Sequence, residues 1–568
     1  TDYVSFSPEF YTSGSYEETA INKRESYLEK RNAENTLNTF LASLEYGFST
    51  GKHDLKLFAG HEKLETIYKQ DIGSVKNLSS NAPIFDYGDP SSPFLTSAAY
   101  EFATASYFGR INYSYANKYL LEFNLRRDGS SRFAEGNKWG NFPSVSAGWR
   151  VSEEDFFKSL NFMDLKLRGS WGRLGNQNIY TQYAFADQMS GGEYYGFGNV
   201  IVPGRGTNVL ANKATRWETT EQFNIGADIV LWNRLDLTID YFKKNTYDIL
   251  ARVTVPPSLG ISTLPYQNIG SMRNRGLEIS LGYASPRDPD KLNYAINING
   301  SYITNKLTSL GGLPYVDHST VNRSVVGEPF SSFYGYKVEG IYQVADFTWQ
   351  NNSDAAIPHG ERNYMLRSNL PNAAGVMSNP APGDIRISDV DGNGVITPED
   401  KAIIGSPLPK LQYAISANLS YKAFGLNIIG QGVGKVDGYM NGNLISAFSN
   451  TTGPLLSSTV ENRWTFEHPS EKYQRLYVDK GRDALVTSYN IYNAAYFRLK
   501  SVQLSYTLDR RFTEKYGVSR CRVFFNAENL LLVTNFMEGF DPERSYTNTT
   551  VGFHPQVATY SFGVNLNF

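Results

Sequence analysis

The 568-residue chain has one cysteine, six histidines and almost no charge imbalance, with 54 Lys and Arg against 56 Asp and Glu. A single cysteine excludes a disulfide within the chain. Cys521 shares the parity of Val523 and Phe525, so it reads as a small apolar strand residue, not a nucleophile. The near-neutral balance leaves no basic stripe to track phosphates, which argues against nucleic acid as a partner. His53, His61, His318, His359, His468 and His554 are scattered, with no His-Glu-x-x-His spacing and no cysteine companion, so zinc has no support. Long apolar runs are missing too: polar residues break the best stretches at every second position, which excludes a membrane-spanning helix. Thr1-Asp2-Tyr3-Val4 has no basic n-region followed by an apolar h-region, so no signal peptide is expected at this start.

Aromatics and glycine are abundant, with 39 Tyr, 34 Phe and 49 Gly, yet the hydrophobic fraction is 41% and the mean hydropathy −0.39. The length exceeds what one hydrophobic core organises. Together these features suit one large β architecture of aromatic-rich strands joined by long polar loops.

Period-two alternation supplies the positive signal. Tyr560, Phe562, Val564, Leu566 and Phe568 alternate with Thr559, Ser561, Gly563, Asn565 and Asn567. Leu292, Tyr294, Ile296 and Ile298 alternate with Asn293, Ala295, Asn297 and Asn299, and Leu235, Leu237, Ile239 and Tyr241 with Asp236, Thr238 and Asp240. The same holds for Leu277, Ile279, Leu281 and Tyr283, and for Tyr413 to Tyr421. Each segment reads as a strand with one apolar and one polar face, and few helices are available to cover the apolar ones. Closing the sheet on itself with the apolar side outward solves this. The fold class is therefore all-β, a transmembrane antiparallel β-barrel with about fourteen to sixteen strands in this chain.

Connections are short on one side and long on the other. Thr50-Gly51-Lys52-His53, Ala116-Asn117-Lys118, Trp232-Asn233-Arg234 and Ala423-Phe424-Gly425 read as tight reversals. Residues 67–100, 176–215, 305–332, 343–410 and 436–490, rich in Gly, Pro, Ser and Asn, read as long loops forming an extracellular crown. The whole of 1–568 is thus one barrel portion, in the outer membrane of a Gram-negative cell and in contact with its lipid.

Several strings then carry a family resemblance. Arg127-Asp128-Gly129-Ser130-Ser131-Arg132-Phe133, Asn137-Lys138-Trp139-Gly140 and Phe142 to Arg150 come first. Trp217-Glu218-Thr219-Thr220, Asn268 to Gly276, Pro382-Gly383-Asp384 through Asp400, Asn529-Leu530 and Asp541-Pro542-Glu543 follow in order. Together they cover most of the chain, which resembles the SusC/RagA family of TonB-dependent outer-membrane transporters. The resemblance implies a 22-stranded barrel whose plug, first strands and TonB-contacting segment lie upstream of Thr1. It also implies a SusD-like surface lipoprotein as lid, energy from TonB-ExbB-ExbD through the N-terminal part, and oligosaccharides or peptides as cargo. A passive porin, a siderophore or cobalamin receptor, and a secreted glycan-binding β protein are the rivals. No pair of carboxylates marks a glycosidase cleft, and no catalytic residue is assigned.

Asp389-Val390-Asp391-Gly392-Asn393-Gly394-Val395-Ile396-Thr397-Pro398-Glu399-Asp400 follows a calcium-loop pattern, with oxygen donors at positions one, three and five and Gly at six. Asp389, Asp391, Asn393, the Val395 carbonyl and Asp400 are the candidate ligands of a structural Ca²⁺. Asp stands where Glu is usual, and Ile385-Arg386-Ile387 reads as strand, so this is no EF-hand pair. The competing reading is a turn whose carboxylates cap its own amides. Gly430-Gln431-Gly432-Val433-Gly434-Lys435 has the wrong spacing for a phosphate loop and reads as strand. Gly191 to Gly198, with Tyr194, Tyr195 and Phe197, offers aromatic surface for sugar rings or peptide side chains, or for packing between loops.

Overall fold

The computed structural model describes residues 2–7, 26–80, 82–179, 182–252, 258, 265–349, 356–440, 456–476, 485–543 and 556–568. Sixteen strands hydrogen-bond in chain order as one sheet. They are β1 (Asp2–Ser7), β2 (Tyr27–Thr50), β3 (His53–Lys76), β4 (Phe94–Tyr115), β5 (Tyr119–Ser130), β6 (Trp139–Arg150), β7 (Met163–Asn176) and β8 (Glu218–Leu231). There follow β9 (Leu235–Arg252), β10 (Tyr266–Ala284), β11 (Asn293–Leu310), β12 (Leu411–Tyr421), β13 (Phe424–Gly434), β14 (Tyr496–Thr507), β15 (Arg520–Thr534) and β16 (Thr559–Asn567). No described helix is long and apolar enough to cross a membrane.

The chain divides into two units, one built from 1–147, 170–221 and 246–269, the other from 148–169, 222–245 and 270–568. In the first unit, β2 and β3 pair over their full 24 residues from Thr50↔His53 to Tyr27↔Lys76. A strand needs only about 9–11 residues to cross a bilayer, so this hairpin projects well beyond it. The loop expected at 67–100 is consequently shorter: β3 continues through Lys76, and β4 starts at Phe94. Leu28, Ile67, Ile72 and Val75 lie there among charged and polar residues without a sustained alternation, so the sequence pattern stops while the backbone ladder continues. The Phe133, Phe142 and Trp217 side chains form one buried cluster, and the Trp217 indole N–H donates to the Lys138 carbonyl at 3.0 Å. Four of the quoted strings therefore meet at one packing point.

The tight reversals fall where alternation stops. Lys118 N–H donates to the Tyr115 carbonyl at 2.9 Å, with positive φ at Ala116 and Asn117. In the second unit, Arg234 N–H donates to Leu231 at 3.0 Å, with positive φ at Trp232 and Asn233. Such left-handed pairs match the twist of the flanking strands. The reversal expected at Ala423-Phe424-Gly425 lies earlier, at Lys422-Ala423: Lys422 takes φ +51, which frees Phe424 to pair with Tyr421 and Tyr506.

Register in the second unit sorts side chains by face. Ile296 stands opposite Tyr283 and Ala417, and Ile298 opposite Leu281 and Ile415, whereas Asn297 stands opposite Gly282 and Ser416. At the end of the chain Phe562 faces Phe525, Val564 faces Val523, and Leu566 faces Cys521. Leu277, Ile279 and Ile298 are each more than two-fifths exposed, the signature of an apolar face that lipid covers. Glycine serves close approach on this face: a Cβ at Gly432 would lie 2.5 Å from the Tyr413 ring, and one at Gly430 2.6 Å from Phe497. The 430–434 glycines thus belong to β13, beneath two rings stacked 6.2 Å apart.

The other loop segments also carry structure. Gln188–Phe197 and Val200–Val209 form a hairpin within 176–215, β11 extends to Leu310, and Ile385–Ile387 pairs with Val338–Ile341. Ser457–Asn462 is a short helix within 436–490.

Lysine placed at Leu237 or Ile296, midway along the apolar face, is expected to cost about 2–4 kcal/mol, and lysine at Asn297 far less. Reversible denaturation in lipid vesicles measures this, and equal costs on both parities would contradict the facing.

Candidate functional site

The polar face of the second unit is lined by charge and amide groups. Arg168 reaches Asp228 at 2.8 and 2.9 Å and Asp240 at 2.9 Å. A cavity of about 490 Å³ lies along this face, lined among others by Asp240, Glu278, Asn299, Ser301, Gln412 and Gln431. Its carboxylates, amides and hydroxyls suit a polar solute or a polar protein surface. The Asp240 parity is readable locally. Arg168 is not, because its partners lie 60 and 72 residues away.

A second cluster anchors the segment after β15 onto β14. Arg498, almost fully buried, places one amino group 2.7 Å from each Asp541 oxygen, and Lys500 reaches Glu543 at 2.7 Å. Gln431 and Gln556 add amide contacts to Glu543 at 3.4 and 3.0 Å. Burial alone raises the Glu543 carboxyl, but hydrogen bonds from Lys500 and Tyr496 and the charges of Arg498 and Lys500 hold it below its ordinary 4.5. The string Asp541-Pro542-Glu543 names no partner by itself. Cations on the polar parity of β14 were the available signal.

The segment from Tyr336 to Trp464 has its own hydrophobic core of Tyr336, Ile341, Ala373, Met377, Ile385, Ile387, Ile396 and Trp464. Pro382-Gly383-Asp384 is fixed against it. Gly383 has φ +90 and a Cβ there would lie 2.6 Å from the Trp464 ring, while the buried Asp384 accepts from Arg475 at 2.7 Å. Ile396, fully buried, ties the 389–400 loop to the same core.

Within that loop Asp389, Asp391 and Asp400 each bring one oxygen within 4.8 Å of the others. Around these three carboxylates the loop closes on its own amides. Asn393 Oδ1 accepts from Val395 N–H at 2.8 Å, and its Nδ2 donates to Asp391 at 2.8 Å. Asp389 accepts from Gly392 at 2.8 Å and Gly394 at 2.7 Å. Asp400, buried beside a one-turn helix at Pro398–Asp400, accepts from Val390 and Thr397 at 2.8 Å. Burial would raise the Asp400 carboxyl, but these backbone donors and Asp391 N–H hold it below the carboxylate range. The donor set fits a hard cation in its three carboxylates, and it also fits a turn capped by its own side chains.

In the Gln188–Phe197 hairpin Tyr194, Tyr195 and Phe197 are about two-thirds exposed, so loop packing does not cover them in the structure. His359 stacks on Phe466 with centroids 4.2 Å apart, and His53 contacts Tyr113 at 2.8 Å. Among the described residues, the three aspartates are the one group of metal-ligating side chains that converges.

A long antiparallel sheet with one lipid-suited and one polar face, short turns at one end and elaborated connections at the other, defines an outer-membrane β-barrel protein. The family model for TonB dependent receptor-like β-barrels matches residues 2–530, and the chain belongs to that family of outer-membrane β-barrels. TonB-dependent receptor P3 of Formosa agariphila is 30% identical over 96% of this chain and 53% of its own length. TonB-dependent receptor SusC of Bacteroides thetaiotaomicron is 28% identical over 82% of this chain and 43% of its own. The chain spans about half the length of the curated relatives it matches. A solved structure of the RagAB peptide transporter shares the fold, with TM-score 0.79 and 24% identity over 96% of this chain and 57% of that one.

Arg498→Met is expected to cost about 3–5 kcal/mol, because it leaves Asp541 buried without its cation. Chemical denaturation measures the loss. The Glu543 contribution has a defined pH sense. Its folded value lies below 4.5, so its stabilisation is complete above pH 4.5 and is lost as pH falls through the folded value. Protease nicking of 535–543 should therefore rise in acid, and Glu543→Gln should flatten that profile.

Proposed function

We propose that this chain is the barrel wall of an energised importer that takes up oligosaccharides or peptides with a SusD-like lid lipoprotein and TonB-ExbB-ExbD. The family match across nearly the whole chain carries the reading. RagAB, described as a peptide transporter, and SusC, described as a TonB-dependent receptor, support the transport class. The polar face along Asp240, Glu278 and Gln431 supports a hydrophilic cargo or a hydrophilic plug surface. Exposed Tyr194, Tyr195 and Phe197 provide aromatic surface for either cargo. The reading is a transporter and not an enzyme.

Uptake of oligosaccharide and peptide mixtures by cells carrying the receptor tests this. Import is expected to stop when TonB is inactivated and to fall when the neighbouring lipoprotein is deleted. Import that survives loss of TonB would assign a passive porin, and import of a ferric siderophore or cobalamin would assign the other receptor class.

The 389–400 loop is proposed to hold one Ca²⁺ that stiffens it, supported by the convergence of Asp389, Asp391 and Asp400. Asn393, whose Oδ1 keeps a second lone pair beside the bond from Val395 N–H, and the Val395 carbonyl complete the set. Affinity of about 10⁻⁴–10⁻³ M is expected, as in extracellular calcium modules. Calorimetric titration of the receptor against Asp391→Ala decides it: identical heats leave an ordinary capped turn.

A further inference from the structure

Above the last apolar row of the second unit, the lipid-suited face changes abruptly to cations. Tyr241, Leu277 and Tyr302 close the apolar face on β9, β10 and β11, and Lys243, Arg275, Arg273 and Lys306 follow on the same parities. Arg273 stands directly opposite Lys306, and Arg275 opposite Thr304. Two contacts place β9 beside β10: Arg273 donates to Asn245 at 3.1 Å, and a Cβ at Gly276 would lie 2.7 Å from the Phe242 ring. In an antiparallel pair those contacts set Lys243 beside Arg275. Lys435, just past β13, lies 4.9 Å over the Tyr302 ring and adds a fifth charge.

Like charges directly opposite on a ladder are destabilising. Here two such juxtapositions adjoin, and the cations' side-chain partners are neutral: Asn245 for Arg273, Thr304 for Arg275, the Tyr302 ring for Lys435. All five are exposed. Such an arrangement calls for an anion from outside the chain.

Position identifies the anion. The opposite ends of these strands carry the Trp232-Asn233-Arg234 reversal and the short 285–292 connection, while the cationic end leads into 253–265 and 311–410. Short turns mark the periplasmic rim and long loops the outer one. The cluster therefore sits at headgroup level of the outer leaflet, continuous with the face that acyl chains cover. Guanidinium forks match phosphate geometry, and tyrosines at the boundary suit an interface between sugar and lipid. We propose that Lys243, Arg273, Arg275, Lys306 and Lys435 form a binding site for the phosphate groups of an outer-leaflet glycolipid.

Native mass spectrometry of the receptor extracted from outer membranes tests the site. The probes are a bis-phosphorylated lipid A-type glycolipid, its dephosphorylated counterpart and inorganic phosphate. Wild type is expected to retain the phosphorylated glycolipid, and R273Q/K306Q to retain it on the order of tenfold less, from the usual contribution of a cation near an anionic membrane surface. R273K/K306R and the lower-turn variant K422Q are expected to match wild type. The shift in gel migration on boiling reports folding for each variant, and R273Q or K306Q alone, each with an intermediate loss, carries the test if the double variant does not fold. Equal retention by wild type and the charge-removed variants overturns the proposal. Equal retention of the dephosphorylated glycolipid reduces the face to acyl contacts and also overturns it, as does displacement of the glycolipid by inorganic phosphate at matched concentration, which would assign a free-anion site.

Discussion

Within a bilayer no water is available to the backbone, so every N–H and C=O must find a partner inside the protein. For a chain without a long apolar helix, the remaining solution is a ladder of strands paired on both sides. The rest of the structure depends on that constraint. It fixes the period of two, and the period of two gives each strand one face for lipid and one for the interior. The glycines under Tyr413 and Phe497 are tolerated in β13 because its hydrogen bonds to β12 and β14 keep the backbone in place while the rings fill the surface.

Beyond the bilayer the constraint relaxes and other interactions take over. The β2–β3 hairpin continues as a backbone ladder, whereas the 336–464 segment builds a hydrophobic core of its own around Ile396 and Trp464. The half-buried pair Asp384–Arg475 and the buried pair Arg498–Asp541 then fix connections in place. Buried ion pairs of this kind contribute more to specificity of placement than to net stability, since desolvation offsets much of their attraction. They leave these connections shaped but not welded.

The 389–400 loop shows how far a motif carries. Its spacing correctly brings three carboxylates together, yet the same oxygens accept from the loop's own amides. Asp400 accepts from Thr397 N–H and so also closes a capping box on the one-turn helix. Gly383 and Trp464 illustrate the complementary case. The quoted string marked the glycine, and only the structure shows the indole that excludes a side chain there.

The sequence by itself determined the all-β class, the two faces of each crossing strand, the tight reversals and the family, because these follow from local period, turn chemistry and ordered strings. Cys521 on the apolar face beside Leu566 is an example readable from parity alone. What only the tertiary structure decided were the full length of β2 and β3, the core beneath the 389–400 loop, the Arg498 cluster and the rows of cations beside Arg273. Each depends on how separate segments are set against one another. Alternation fixes which face a side chain takes, but one strand's pattern cannot say how far its neighbour slides, and that slide sets Arg273 against Lys306.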